Sequence, residues 1–176
     1  MPSPIGHAIA GVAVAWSARE PRLAPVCAGL AALPDIDLVL PASHRTYTHS
    51  LTAVLAVSIV AAAVTGKVTR WRTALVCGAA YASHLLLDWL GADTRPPLGI
   101  QVLWPFSDRW FISGWNAFPE TARLHLFSMA ALRQNALAIA QELAILLPIL
   151  ALVWLVRVKP AAGLSSEVSG RHHPPQ

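Results

Sequence analysis

Long apolar runs, separated by short polar segments, make up most of this chain. They occupy residues 8–18, 23–33, 51–66, 73–90 and 136–156. A helix needs about 20 residues to cross the hydrocarbon core of a bilayer, so the last two runs come nearest to a full span. The pattern predicts an all-α fold: a polytopic helical membrane protein with about four to five membrane-embedded helices.

Polar residues beside two of these runs predict where helices begin. Ser3 followed by Pro4 is typical of a helix N-cap with proline at the first helical position, which places His7 in the first turn. The run 51–66 is somewhat short for a span, so we expect its helix to begin earlier, near residues 46–48.

Other segments are less regular. The first two runs are short, which leaves open whether they span the bilayer or form a re-entrant, half-buried hairpin. Residues 93–133 are polar and aromatic, which predicts a loop on the membrane surface that ends in an amphipathic helix over residues 119–132. After a single domain of residues 1–159, residues 160–176 are rich in Ser, Gly, Pro and His and are predicted to be a disordered tail.

The composition supports a membrane location. Hydrophobic residues make up 55% of the chain and charged residues 12%, whereas a soluble domain has about 25% charged residues. The net charge of +4 is spread in small clusters, so membrane topology explains it better than nucleic-acid binding. Cys27 and Cys77 lie inside apolar runs without CxxC spacing, which predicts buried free thiols.

Candidate chemistry centres on His84 and Asp88, the strongly polar residues of the segment 79–91. Their spacing of four places both side chains on one helical face. An unpaired buried carboxylate is unfavourable, and a divalent cation is one of the few partners that removes the cost. A His–Asp hydrogen bond between two buried groups is the other interpretation, and this segment alone does not decide between them.

Further candidate ligands occur earlier in the chain. Asp35 and Asp37 lie between two prolines, where alternate side chains share a side and repel each other unless a cation joins them. His44 and His49 follow in a polar segment just before the run 51–66. His7, at the mouth of the first helix, completes the set.

Membrane topology predicts that these residues meet. If the five runs alternate across the bilayer with the N-terminus outside, eight of the 13 Lys and Arg residues fall on one side. Such basic segments mark the cytoplasmic side, which then also holds the C-terminal tail. The candidate ligands fall on the opposite side, which predicts a polar metal site at the external membrane face.

Imidazole and carboxylate ligands without thiolates suit a divalent metal, zinc first, with manganese or iron as alternatives. Structural polar pairing of the same side chains is the competing interpretation. A bound ion lowers the pKa of water from about 16 to about 7 at an open coordination position. We expect that position between His49 and Asp88.

Four more polar residues have two interpretations each. Arg45 has the chemistry to clamp a phosphoryl oxygen or to meet a lipid headgroup. Glu142 is an intramembrane carboxylate and so a functional candidate, or a hydrogen-bonding partner of a neighbouring helix. Thr48 and Ser50 are interpreted as helix caps rather than as donors that orient His49.

Four motifs, in this order, resemble the family of membrane-bound metal-dependent hydrolases, also described as inner-membrane-associated hydrolases. They are Gly6-His7, Leu33-Pro-Asp-Ile-Asp37, His44-Arg-x-x-Thr-His49-Ser50 and Ser83-His84-x-x-x-Asp88, followed by Leu103-Trp-Pro-Phe106. The resemblance covers residues 5–110, and the family is distantly similar to zinc-dependent phospholipases C and single-strand nucleases. It implies phosphoester hydrolysis. Those soluble enzymes have two His-x-x-x-Asp pairs and this chain has one, so a full three-metal cluster is not expected.

The first hypothesis is therefore a membrane-bound metal-dependent hydrolase of the bacterial inner membrane, in which metal-activated water cleaves a phosphoester of a lipid-linked or surface substrate. The alternative is a non-enzymatic membrane scaffold or sensor with a structural metal. A metal or proton transporter ranks last, because the cytoplasmic halves of the predicted helices lack ionisable residues. The expected partners are membrane lipid and such a substrate, without nucleic acid, and the sequence does not specify the oligomeric state.

Overall fold

The computed structural model describes residues 1–39, 45–122 and 125–159, which form helices and no β-strand. The helices are α1 (Pro4–Ser17), α2 (Ala24–Ala32), α3 (Leu51–Val64), α4 (Arg70–Leu90) and α5 (Met129–Val153). Short segments extend them: 3-10 helices at Pro21–Leu23 and Leu33–Val39, and a π-helix at Trp154–Val158. The predicted all-α fold is confirmed for the described residues.

α1 begins where the Ser-Pro pair predicts. Ser3 has an extended backbone, and its hydroxyl accepts a hydrogen bond of 3.3 Å from the Gly6 amide. Pro4 occupies the first turn, where no amide donor is needed. His7 therefore lies in that turn, and its side chain is fully buried.

α3 begins later than expected. We expected a start near residues 46–48, but the first helical residue is Leu51. The reason is Ser50, whose extended backbone and hydroxyl form the N-cap by accepting a hydrogen bond of 3.2 Å from the Ala53 amide. Ser50 is thus a cap, as predicted, whereas Thr48 is not the cap of α3.

Of the described residues in the segment 119–132, where we expect an amphipathic helix, 129–132 are helical and they belong to α5. His125 has a φ of 51°, which a right-handed helix does not accommodate. Ser128 then caps α5 by accepting a hydrogen bond of 3.2 Å from the Ala131 amide. As a result α5 begins at Met129 rather than at residue 136.

Two described helices are long and apolar enough to cross a bilayer: Arg70–Leu90 and Met129–Val158. α1 and α3 have 14 residues each and α2 has nine. At 1.5 Å per residue they reach only about 21 and about 14 Å, against a hydrocarbon core of about 30 Å. The expectation of four to five membrane-embedded helices therefore exceeds what length supports, and the α1–α2 pair has the size of the half-buried hairpin that the sequence left open.

α4 is the central helix. It packs against α1, α2 and α3, and α5 packs against α1. The crossings are close at two glycines, because a Cβ on Gly11 would lie 2.2 Å from the Cys27 carbonyl oxygen and one on Gly78 would lie 2.1 Å from Ser58 Oγ. Cys27 and Cys77 are free and buried, as predicted.

The irregular loop after α4 is attached to the start of α3. Ile100 and Phe111 exchange backbone hydrogen bonds of 3.0 and 2.9 Å, and the Leu51 amide donates to the Val102 carbonyl at 2.9 Å. These bonds tie the loop to the turn that contains His49. The C-terminal end of α4 and the start of α3 are thereby held as one region.

Candidate metal centre

The candidate site lies at the C-terminal end of α4. His84 and Asp88 are one helical turn apart, and both side chains are fully buried. His84 Nε2 lies 3.3 Å from Asp88 Oδ2. The predicted sharing of one helical face is confirmed.

The turn before α3 adds His49 to this pair. Its Nε2 lies 3.0 Å from His84 Nε2 and 3.2 Å from Asp88 Oδ2, so the three atoms form a nearly equilateral triangle. Ligand atoms about 2.0–2.1 Å from a tetrahedral zinc ion lie about 3.3 Å apart. The triangle therefore has the size of one face of a tetrahedral zinc site.

The outer nitrogen of each imidazole is held by a hydrogen bond. His84 Nδ1 lies 2.7 Å from the Ala31 carbonyl oxygen, which can only accept, so Nδ1 carries the proton and Nε2 presents its lone pair. His49 Nδ1 faces Thr48 Oγ1 at 2.9 Å and Asp37 Oδ2 at 3.3 Å. With its proton there too, the two Nε2 lone pairs face each other, which is favourable only with a shared proton or a cation.

Asp37 lies behind His49 rather than in the triangle. Its Oδ2 accepts hydrogen bonds from the Arg45 amide at 3.0 Å and from the Thr48 hydroxyl at 2.5 Å. Tyr81 of α4 donates to the Thr48 carbonyl at 2.8 Å and so holds this turn against the helix. A carboxylate behind a histidine fixes the ring orientation of a metal ligand. Asp37 is thus close enough to orient His49, and its predicted role as a metal ligand stays a prediction.

His7 and Asp35 complete the cluster. The His7 ring stacks on the His84 ring with centroids 3.7 Å apart, and His7 Nε2 lies 3.4 Å from Asp88 Oδ1. Asp35 Oδ1 lies 3.9 Å from His84 Nε2. The ligand atoms of His7, Asp35 and His84 therefore form a second group within 4.8 Å of one another. One imidazole nitrogen binds one ion, so His84 can serve only one of the two groups at a time.

Four buried polar atoms of the cluster lack a hydrogen bond within the described part of the chain. They are both carboxylate oxygens of Asp88 and both ring nitrogens of His7. The groups nearest to the Asp88 carboxylate are imidazole nitrogens at 3.2–3.4 Å, so its negative charge is balanced only by a protonated histidine or by a bound cation. The metal site and the His–Asp pair therefore both stay open as the reason for the motif.

The pKa of His49 shows how strongly the surrounding carboxylates favour positive charge. Burial by itself lowers this pKa. The close contacts with Asp37 at 3.3 Å and Asp88 at 3.2 Å and the charges of both carboxylates outweigh burial and raise the pKa to about 9. Because a metal ligand must be deprotonated, a proton and a metal ion compete for the same ring.

Arg45, one of the two residues predicted to act on a substrate, is bound by the loop after α4. Its guanidinium pairs with Asp93, donates to the Arg95 carbonyl at 3.2 Å and lies 5.7 Å from the centroid of the Trp110 ring. Its backbone amide contributes to the site through Asp37.

Glu142, the other such residue, contacts α1. Its carboxylate accepts hydrogen bonds from the Ser3 amide at 2.8 Å and from the Ser3 hydroxyl. Of the two interpretations of Glu142, the structure shows the hydrogen bond to a neighbouring helix. Neither Arg45 nor Glu142 belongs to the described groups that could hold a metal ion.

The predicted convergence of distant side chains is confirmed for His7, Asp35, His49, His84 and Asp88, whereas their role as metal ligands stays a prediction. His44 lies outside the described residues, and its role stays a prediction. Sequence reasoning missed the Ala31 carbonyl, because a backbone acceptor has no sequence signal. It also preferred a helix cap to an orienting role for Thr48, although the position of Thr48 next to His49 in the sequence indicated the orienting role.

The chain matches a known protein family. Neither a curated protein nor a solved structure matches the chain. The sequence model of the YdjM inner membrane protein family matches residues 1–162, a range that contains all five helices and the whole cluster. The two long apolar helices agree with an inner-membrane location. The chain thus belongs to the YdjM inner membrane protein family.

Proposed function

We propose that the protein is a membrane-bound metal-dependent hydrolase that binds a divalent ion, zinc first, between His49, His84 and Asp88. The observation that carries this proposal is the triangle of ligand atoms at 3.0, 3.2 and 3.3 Å. Two nitrogens and one oxygen from the protein leave a fourth position open, as in catalytic zinc sites.

His49 Nε2, His84 Nε2 and Asp88 Oδ2 are the atoms that would hold the ion. Zinc held there would supply Lewis acidity, which lowers the pKa of water to about 7.

Asp35 marks the side from which water can approach. Its side chain is 10% exposed, whereas those of His49 and His84 are fully buried. A carboxylate in that position can accept the proton of an attacking water. Asp37, Thr48 and the Ala31 carbonyl keep the Nε2 atoms of the two histidines directed at the ion.

The motif resemblance supports a phosphoester as the bond that is cleaved, and the membrane location supports a lipid-linked substrate. The chain offers four His and Asp motifs in the order found in membrane-bound metal-dependent hydrolases. Membership of an inner membrane protein family supports this choice, because a site on a membrane protein is close to lipids.

Metal content and activity test this proposal together. In detergent-purified protein, Asp88→Asn and His84→Ala should lower zinc from about one ion per chain to near zero, because each removes one corner of the triangle. Glu20→Gln is the matched control. The Glu20 carboxylate pairs with Arg72 at 2.9 Å and lies outside the cluster, so its loss should leave the zinc content unchanged.

Chelation should abolish hydrolysis of a phosphoester panel that includes phospholipids and nucleotides, and added zinc should restore it. Zinc binding without turnover of any phosphoester would refute the proposed hydrolase activity, while the proposed metal site would stand.

A structural metal in a non-enzymatic scaffold or sensor is the second candidate function. The complete burial of His7, His49, His84 and Asp88 favours it. Chelation should then lower the midpoint of thermal unfolding, and His84→Ala should behave as a folding variant. Normal stability combined with lost activity would exclude this candidate.

A further inference from the structure

Glu142 is a buried carboxylate that the proposed chemistry does not use. It lies within the candidate span Met129–Val158, and its side chain has no solvent exposure. An ionisable group at membrane depth is costly and needs a specific partner. That partner is the first turn of α1.

The carboxylate binds the donors that the start of a helix leaves unpaired. Glu142 Oε1 accepts a hydrogen bond from the Ser3 amide at 2.8 Å, and Oε2 accepts one from the Ser3 hydroxyl. The same hydroxyl accepts a hydrogen bond of 3.3 Å from the Gly6 amide. A negative charge is also favourable at the positive end of the helix dipole.

Gly6 allows this close approach. A Cβ at that position would lie 2.7 Å from Glu142 Oε2, closer than a carbon and an oxygen can pack. Glu142 therefore contacts the helix backbone itself, directly beside His7. The contact fixes the first turn of α1 on two sides, at Ser3 and at Gly6.

His7 depends on that turn for its position. Its amide donates to the Ser3 carbonyl at 3.2 Å, whereas neither ring nitrogen has a hydrogen bond within the described residues. The ring is held by stacking on His84 at 3.7 Å, with an interplanar angle of 22°, and lies 3.4 Å from Asp88 Oδ1. These two contacts form only if the backbone of the first turn presents the ring to α4, so the position of the ring depends on that turn.

We propose that Glu142 is a positioning residue: by fixing the first turn of α1, it holds His7 against His84 and Asp88. The inference rests on the proposed metal site only for its effect on metal affinity. The position of the His7 ring can be tested without metal.

The first test uses histidine-labelled, metal-free protein in detergent and the NMR signals of the His7 ring, assigned by their loss in His7→Ala. Glu142→Ala should shift these signals. Glu142→Gln should largely restore them, because it keeps an acceptor for the Ser3 amide. The matched control is Gln141→Ala, which removes the neighbouring hydrogen bond from Gln141 Nε2 to the Ala117 carbonyl at 3.2 Å and should leave them unchanged.

Ser3→Ala serves as a milder variant should Glu142→Ala fail to fold, because it removes the hydroxyl contacts to Oε2 and to the Gly6 amide but keeps the bond from the Ser3 amide to Oε1. It should shift the His7 signals in the same direction and by less. Unchanged His7 signals in a folded Glu142→Ala, or in Ser3→Ala when that is the variant available, would overturn the positioning role.

The second test is a double-mutant cycle on zinc affinity, measured by competition with a chromogenic chelator. Glu142→Ala should weaken zinc binding about tenfold or more, as loss of a supporting contact to a metal site does. In a His7→Ala background the same change should add nothing, because its effect passes through His7. Fully additive losses would show that Glu142 acts independently of His7 and would overturn the inference. A wild-type protein that binds no zinc would refute the proposed function, and the NMR signals would still decide the role of Glu142.

Discussion

At the scale of single residues, the decisive feature is which nitrogen of each histidine faces the cluster. The Ala31 carbonyl fixes this for His84, and Thr48 with Asp37 fixes it for His49. Both arrangements leave Nε2 toward Asp88. A metal ligand whose outer nitrogen is held in this way loses less freedom on binding an ion.

Removal of the Thr48 hydroxyl tests this orientation. Thr48→Val should weaken zinc binding about tenfold, because Asp37 loses a donor and His49 Nδ1 loses a neighbour, whereas Thr48→Ser should retain affinity. Thr52→Val is the control four residues later, since its hydroxyl donates to the Trp104 carbonyl at 2.7 Å and not to the cluster. Equal losses in Thr48→Val and Thr52→Val would contradict the orienting role.

The raised pKa of His49 predicts how the stability of the metal-free protein depends on pH. The folded-state pKa of about 9 lies above the ordinary value of 6.5, so protonation of His49 stabilises the folded state. This contribution is complete below about pH 6.5 and is lost as pH rises through about 9. Thermal unfolding of chelator-treated protein should therefore show a falling midpoint between pH 7 and pH 9. In His49→Gln the fall of the unfolding midpoint should be much smaller. A fall equal to that of the wild type would show that another titrating group causes it.

At the scale of elements, close crossings of short helices position the site. Gly11 brings α1 against the Cys27 backbone of α2, so that the hairpin brings His7 and the Ala31 carbonyl to the same end of α4. Gly29, also in α2, has no heavy atom within 4 Å of a Cβ placed on it. The two glycines of one hairpin thus differ in what an added methyl group would meet.

Alanine substitution at these glycines should have opposite effects. Gly11→Ala should destabilise the protein by about 1–3 kcal/mol, because the methyl group collides with backbone atoms that cannot move independently. Gly29→Ala should be stabilising by about 0.5–1 kcal/mol, because alanine favours a helix interior without a clash. Unfolding midpoints in detergent measure both, and destabilisation by both would show that helix packing here is not set by Gly11.

The starts of α1 and α3 show what governs element boundaries. Ser3 and Pro4 predicted the first start because both residues act locally. The expected start of α3 near residues 46–48 is too early, because it follows from span length, whereas the Ser50 hydroxyl is the local cap. Capping chemistry predicted helix ends better than bilayer thickness did.

At the scale of the whole molecule, the two long apolar helices place basic residues at one end. α4 begins with Arg70 and Arg72, and the helical stretch that continues α5 ends near Arg157 and Lys159. By the positive-inside rule, this end is expected to be cytoplasmic and the end of α4 with Asp88 external.

Reporter fusions test this orientation. A fluorescent-protein fusion after residue 159 should be fluorescent and a periplasmic phosphatase fusion there inactive, because the phosphatase folds only outside the cytoplasm. Fusions within the loop after α4, at Ser113, should give the reverse pattern. Phosphatase activity of the fusion after residue 159 would show the opposite orientation, with the cluster at the cytoplasmic face.

The sequence by itself determined the helical class, the membrane location and the identity of most cluster residues. These follow from local chemistry: apolar runs, i and i+4 spacing, and carboxylates and imidazoles at the ends of those runs. Only the tertiary structure decided that Asp37 supports His49, that Glu142 binds the start of α1 and that the Ala31 carbonyl orients His84. Those roles depend on the distance between atoms of different helices, which close packing at Gly11 and Gly6 sets and no local pattern encodes.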